Sequence, residues 1–362
     1  MARLARREYL DPLTTQITHA VARCVRRAFL CGNDPVTGQS FEHRRQWIQD
    51  RLELLASAFA IDCLTFSVMS NHVHLVLRNR PDLVREWTDE EVASRWLRLC
   101  PPDCGDEALD AAVAMLVNNP QKIAELRVRL SDISWWMRLL TQSIARRANR
   151  EDDCTGRFWE GRFKAQLLLD EAAVLACAMY VDLNPIRAAM AESLDASEFT
   201  GAKARIDDLK ESIESGPSSL QSLGAADVES SEKRWERSSS RQRSGWLSPV
   251  EIDTRHAPVN TEPSPCGRRA SLKGFLPLSL SKYLELLDWT GRQLRTGKRG
   301  AIASHIAPVL QQLGIKGDRW LELAKNFGKL FKRAVGSSAS LSDEARQRGQ
   351  RWLQAPGADA FD

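Results

Sequence analysis

The sequence is sparing with the side chains that most often carry proton and metal chemistry: its 362 positions hold 6 histidines and 3 tyrosines. It also lacks any apolar run near the roughly 18 residues that a membrane span requires, so no membrane segment is expected. The opening stretch "MARLARREYLDP" leads into no apolar segment, which argues against a secretory signal and for a cytoplasmic chain. Paired cysteines are missing as well. The 8 cysteines are scattered, and the close pair in "CPPDC", Cys100 and Cys104, has no second pair to complete a zinc cage, so reduced, structural thiols are expected. Charge of one sign is not in large excess either. A net charge of +4 means that a nucleic-acid surface would be a local patch and not a global field. A hydrophobic fraction of 43% and a charged fraction of 27% are ordinary for a globular protein, and the length leaves room for two domains.

Against this scarcity, "VMSNHVHLVL" places two histidines, His72 and His74, on either side of one valine. The flanking runs "IDCLTFSV" and "LVL" are rich in β-branched and aliphatic residues, and "MSN" suits a tight connection. Two adjacent strands follow, Ile61 to Met69 and His72 to Leu77. Side chains on a strand alternate faces, so His72 and His74 point one way and Val73 the other, toward a core. Two imidazoles on one face could share a metal ion; the alternative is a pair of satisfied core histidines.

Upstream, Gln16 to Val25 reads as a strand. "FEHRRQWIQDRLELLASAFA" then sets Trp47, Ile48, Leu52, Leu55 and Phe59 at helical spacing. Strand, helix and strand pair predict an α+β fold with helices over a largely antiparallel sheet. From about Val84 to Leu130 the pattern is helical, with a Thr88 cap before an acidic turn and Pro120 in a first turn. "SDISWWMRLLTQSIARRANR" carries the stripe Ile133, Trp136, Met137, Leu140 and Ile144, and ends in Arg146, Arg147 and Arg150. Those arginines suit the helix dipole and could equally meet phosphate.

The next block, "GRFWEGRFKAQLLLDEAAVLACAMYVDLNPIRAAM", interleaves Arg157, Arg162 and Lys164 with Phe158, Trp159 and Phe163. Cations and rings in alternation suit single-stranded nucleic acid, where bases stack and phosphates meet charge, though half-exposed strands show the same mixture. "FKAQLLL" reads as a strand ending at Asp170, a helix cap, after which a helix runs from Glu171 to about Pro185. On that helix Tyr180 and Asn184 are four apart and share a face. A tyrosine, two imidazoles and an amide oxygen together could serve phosphoryl transfer: a metal acts as Lewis acid and the phenolate attacks phosphorus. A tyrosine with an unperturbed pKa near 10 needs a nearby cation or base for this.

These two blocks resemble the REP-associated tyrosine transposases, a branch of the single-tyrosine HUH transposases, in which a hydrophobic residue separates two histidines. Here that triplet is His72, Val73 and His74. The resemblance covers about Met1 to Thr200 and implies a ferredoxin-like core, with the histidines on a central strand and the tyrosine on a helix packed beside it. It further implies Tyr180 as nucleophile and His72, His74 and Asn184 as ligands of Mg²⁺ or Mn²⁺, while the pattern of cations and rings makes Arg146, Arg147, Arg157, Phe158, Trp159, Arg162 and Lys164 candidate DNA contacts. The implied reaction cleaves single-stranded DNA near a hairpin through a 5′-phosphotyrosine, followed by strand transfer, in a monomer or homodimer at the bacterial nucleoid. Two rival readings are a non-catalytic, domesticated transposase that binds repeat DNA, and a metal-dependent hydrolase in which Tyr180 is structural.

Two departures from compact members of that family stand out: the helical insertion at about 85–130 and the C-terminal third. Residues 201–269 shift to Ser, Glu, Arg and Pro and are expected to form a flexible linker. Residues 270–340 read as a small helical accessory domain with basic edges at Arg295, Lys298, Arg299, Lys329, Lys332 and Arg333, either DNA-binding or simply solvated, and 341–362 as a polar tail.

Overall fold

A computed structural model describes residues 9–25, 29–34, 36–102, 108–214, 243–252, 267–296 and 307–361. Five strands form one sheet in the order β2-β3-β1-β4-β5: β1 (Ile17–Arg23), β2 (Ile61–Val68), β3 (His72–Asn79), β4 (Lys164–Leu168) and β5 (Ala334–Val335). β1 is antiparallel to both β3 and β4, β2 is antiparallel to β3, and only β5 joins in parallel. With α1 (Arg44–Ala58) between β1 and β2, and α6 (Ile133–Glu151) before β4, the chain runs βαββαβ. That order and orientation are those of a ferredoxin-like α+β core, as expected.

Register decides what each side of the sheet does. Val21 pairs with His74 and Arg23 with His72 across β1 and β3, while His19 pairs with Gln166 and Val21 with Lys164 across β1 and β4. Paired residues share a face, so one face carries His19, His72, His74, Lys164 and Gln166. The opposite face carries Ala20, Ala22, Val73, Leu75 and Leu77, buried with Ile48, Leu52 and Leu55 of α1 and with Trp136, Met137 and Leu140 of α6. Val73 therefore faces the core, and each large aliphatic side chain buried there contributes about 1.5–3 kcal/mol.

The helical insertion is α2 (Pro81–Glu86), α3 (Asp89–Leu99), α4 (Leu109–Val117) and α5 (Pro120–Leu130). The Thr88 side chain accepts from the Glu91 amide, and Asn119 caps the helix that Pro120 opens. The insertion extends the α1 and α6 side of the molecule, where Val92, Ala93, Ile123 and Leu126 join the core.

The histidine face is covered by α7 (Glu171–Asp182), which Asp170 caps through the Ala173 amide. Every α7 residue from Ala172 to Met179 is buried. A helix apolar all round must be covered all round, and the C-terminal third supplies the cover. α10 (Leu280–Thr296), α11 (Ala307–Gln312) and α12 (Gly317–Leu330) share one core with α7 through Tyr283, Leu287, Leu310, Trp320, Leu323 and Phe327. The expectation of a separate accessory domain is thereby corrected: its apolar stripes complete the core of the first. Arg295, Lys298 and Arg299 lie outside the described side chains.

The linker expectation is corrected where it can be seen. Residues Gly201–Glu214 form α9, and Arg205 donates to the Leu64 and Ser248 carbonyls. Trp246 and Leu247 are fully buried, apolar anchors hidden in a Ser- and Arg-rich composition. Segment 267–276 is pinned by buried arginines: Arg78 donates to Asp62 and to the Gly274 carbonyl, and Arg80 to Ser271. Gly274 admits no side chain, since a Cβ there would sit 1.9 Å from the Glu251 carbonyl oxygen. The rest of the expected linker lies outside the described residues. The expected polar tail, 341–362, folds in part: α13 (Ser338–Gln347) runs into it, and Ala360 and Phe361 are buried.

Candidate active site

The site begins with two strand histidines and a chain of hydrogen bonds that fixes their protons. Gln166 Nε2 donates to the Phe331 carbonyl at 2.8 Å, so its Oε1 is left to accept. His19 Nδ1 lies 2.8 Å from that oxygen and must donate to it. Burial pushes the His19 pKa down to about 4, so the ring is neutral near pH 7 and its Nε2 can only accept. His74 Nδ1, 2.8 Å away, is the donor. The remaining His74 nitrogen, Nε2, carries a lone pair, is buried, and has no partner among the described residues. His72 reaches the same state by a shorter route, since its Nδ1 lies 2.6 Å from Asn71 Oδ1 and Nε2 remains for other use. Burial lowers the His72 pKa to about 4, with Arg23 adding repulsion, and drives His74 well below the ordinary imidazole value. The two rings meet edge to face with centroids 4.7 Å apart.

Tyr180 completes the cluster from α7. Its ring lies 5.7 Å from that of His74 and 6.1 Å from that of His19, both edge to face. Two residues further on, the buried Asp182 accepts from Thr65 Oγ1 and Tyr283 OH, each at 2.6 Å, and from the Ala202 amide at 3.1 Å. Desolvation raises its pKa despite these donors. The three bonds tie the end of α7 to β2, α9 and α10, and so hold the helix that aims Tyr180.

The short helix α8 (Asn184–Arg187) adds a cation. Arg187 Cζ sits 3.9 Å from the Tyr180 ring centroid, Nη1 donates to the Ala324 carbonyl and Nη2 to Asn184 Oδ1 at 3.1 Å. From the other side α12 closes in. Phe327 packs 5.4 Å from the tyrosine ring, and a Cβ on Gly328 would come within 3.0 Å of the Tyr180 hydroxyl.

His72, His74 and Tyr180 line one cavity of about 380 Å³ with Arg162 and Lys164, and the sequence-derived trio is thus brought together. Glu160, 3.5 Å from Arg23, also faces it. A second cavity of about 870 Å³ adjoins, sharing His74, Tyr180, Arg162 and Lys164. Among the described residues, no cluster of three His, Cys, Asp or Glu side chains has metal-binding geometry. The donor set nevertheless fits a divalent ion in part, because two neutral imidazoles with fixed tautomers are what a metal recruits.

No family model, curated protein or solved structure matches this chain. Its chemistry has to be read from these residues alone.

Several expected site residues lie elsewhere. Asn184 lines neither cavity: its oxygen faces Arg187, and its buried Nδ2 has no partner. Phe158 and Trp159 belong to the core, with Trp159 Nε1 donating to the Thr141 carbonyl, so they offer no exposed rings for bases. Their alternation with arginines reflects a half-buried segment bridged to Cys24, the bland alternative. Arg146, Arg147 and Arg157 are exposed but line neither cavity, and Arg147 stacks 3.9 Å from the Trp47 ring. Sequence reasoning missed His19, Gln166, Arg187 and Gly328. Arg187 alone left a local trace, at two helical turns after Tyr180.

Proposed function

We propose that the chain is a single-stranded DNA endonuclease and strand transferase that works through Tyr180, in keeping with its resemblance to REP-associated tyrosine transposases. One observation carries this reading: a tyrosine and two imidazoles with open nitrogens share a cationic cavity. The Tyr180 oxygen attacks phosphorus, the bond from phosphorus to the 3′-oxygen breaks, and the tyrosine proton ends on the released 3′-hydroxyl. A 5′-phosphotyrosine remains, which a second 3′-hydroxyl resolves by the reverse exchange. Arg187 holds the tyrosine ring through its guanidinium on the ring face, and Arg162 and Lys164 attract the phosphate.

His72 and His74 would hold the divalent ion through Nε2, and such an ion supplies Lewis-acid polarisation of the phosphate oxygens. Imidazole donors favour Mn²⁺ over Mg²⁺, which prefers oxygen. Asn184 is not assigned as a ligand, since its amide is directed to Arg187.

Incubating the protein with hairpin oligonucleotides and Mn²⁺ tests the reading. A covalent protein–DNA adduct that disappears in Tyr180→Phe is expected. Cleavage without an adduct would indicate a hydrolase, and binding alone a non-catalytic repeat-binding protein.

A further inference from the structure

The larger cavity extends beyond the residues that the reaction above uses. Its inner end is His19, His74 and Tyr180, and its walls come from two parts of the chain far apart in sequence. β4 contributes Lys164, with Arg162 just before it. The turn after α12 contributes Lys332 and Arg333. All four are exposed, and among the described residues none of them has an ion pair and no carboxylate lines this cavity. At its outer end stands Trp352, a large ring that is 70% exposed, flanked by the amides of Gln350 and Gln354. At about 870 Å³ the cavity lies high in the range of ligand pockets, roughly 300–1,000 Å³.

We infer that this cavity is a binding groove for single-stranded nucleic acid, running from Tyr180 to Trp352, with a base stacked on Trp352 and phosphates on Arg162, Lys164, Lys332 and Arg333. The reasoning is one of complementary chemistry. Four uncompensated cations select a polyanion, whereas an exposed indole has no use for a bare phosphate. The two coincide in a ligand that alternates charge with flat apolar faces, which is an unpaired strand. Duplex DNA hides its bases from a stacking ring, and an acidic peptide has no flat face to offer. The assignment rests on a strand as the substrate of the Tyr180 site. It gives the C-terminal third a role there, holding the flank of the strand outside the reacting phosphate.

Binding is measured with the full chain carrying Tyr180→Phe, so that no reaction intervenes, by fluorescence anisotropy of an oligothymidylate of about 16 nucleotides. Trp352→Ala is expected to weaken binding about 5- to 100-fold, the equivalent of losing one stacked base. The paired change Lys332→Ala and Arg333→Ala is expected to weaken it too, and to flatten the dependence of log affinity on log salt by about 1.4, near 0.7 per lost phosphate contact. Since these side chains are exposed, the fold should tolerate their removal. Unchanged affinity in either variant overturns the groove, as does displacement at equal concentration by duplex DNA or by polyglutamate. If the unmodified chain forms no adduct while both variants bind more weakly, the catalytic reading fails and the groove stands.

Discussion

His19 Nε2 and His74 Nδ1 lie 2.8 Å apart, on adjacent strands, in rings stacked within 11° of parallel. Because His19 is itself held by Gln166, and Gln166 by the Phe331 carbonyl, the proton between the rings belongs to His74. One backbone oxygen in the C-terminal third thus determines which nitrogen His74 turns to the cavity.

Breaking that chain should loosen the proposed metal site without dismantling it. Gln166→Leu removes the acceptor for His19 and frees both rings to change tautomer. Mn²⁺ affinity, measured by titration calorimetry, is expected to fall about 10- to 100-fold, the usual cost of losing an outer-shell partner. Gln166→Glu keeps an acceptor and should retain more of the affinity. Equal binding by all three proteins would refute the relay.

Acid should weaken the metal-free fold through the same residues. His19 titrates at about 4 when folded, against 6.5 when exposed, so between these values the unfolded chain binds the extra proton. Stability is complete above about pH 6.5 and is lost as pH falls toward 4. The fully buried His19 accounts for about 3 kcal/mol of that loss, and His72 changes in the same direction. Urea unfolding at successive pH values should show a shallower acid decline in His19→Gln; parallel curves would count against it.

Arg187 offers a test of the cation beside the tyrosine. Its guanidinium lies 3.9 Å from the Tyr180 ring centroid and donates to the Ala324 carbonyl and Asn184. In Arg187→Gln the rate of adduct formation should drop by about 10-fold or more, with Arg187→Lys recovering part of the loss. Equal rates in both variants would reduce Arg187 to a packing role.

Gly328 offers a steric test. A Cβ there meets the Tyr180 hydroxyl at 3.0 Å, so Gly328→Val should push the tyrosine aside and slow adduct formation by about 100-fold, as a misplacement near 1 Å can. Thermal stability should change far less than the rate, because the displaced ring borders a cavity. An unaffected rate would mean that the tyrosine reacts from a different position.

Much of the core was legible in local pattern. β2 and β3 begin at Ile61 and His72 as read, since a buried hairpin shows in the sequence as two runs of β-branched, aromatic and aliphatic residues joined by turn residues. Thr88, Pro120 and Asp170 mark helix starts because capping is chemistry between near neighbours. His72, His74 and Tyr180 were visible for the same reason, through spacings of two and through scarcity. His19 was not, although it lies in a strand read correctly. A lone histidine on a strand gains meaning only from its cross-strand neighbours, and register between distant strands leaves no mark on either one. Compositional reading also failed over the C-terminal third, where Trp246, Tyr283 and Trp320 are few among many charged residues yet fully buried.

The bond from Gln166 to the Phe331 carbonyl spans 165 positions. During synthesis at about 5–20 residues per second, roughly 10–30 s separate the two ends of that bond. For that interval a nascent chain carries both histidines and the tyrosine, with neither the acceptor that orders the His19 and His74 protons nor the α12 wall behind the hydroxyl. If Tyr180 cleaves nucleic acid as proposed, an enzyme assembled in this order would stay inert beside the nucleic acids of its own translation until its last wall arrives.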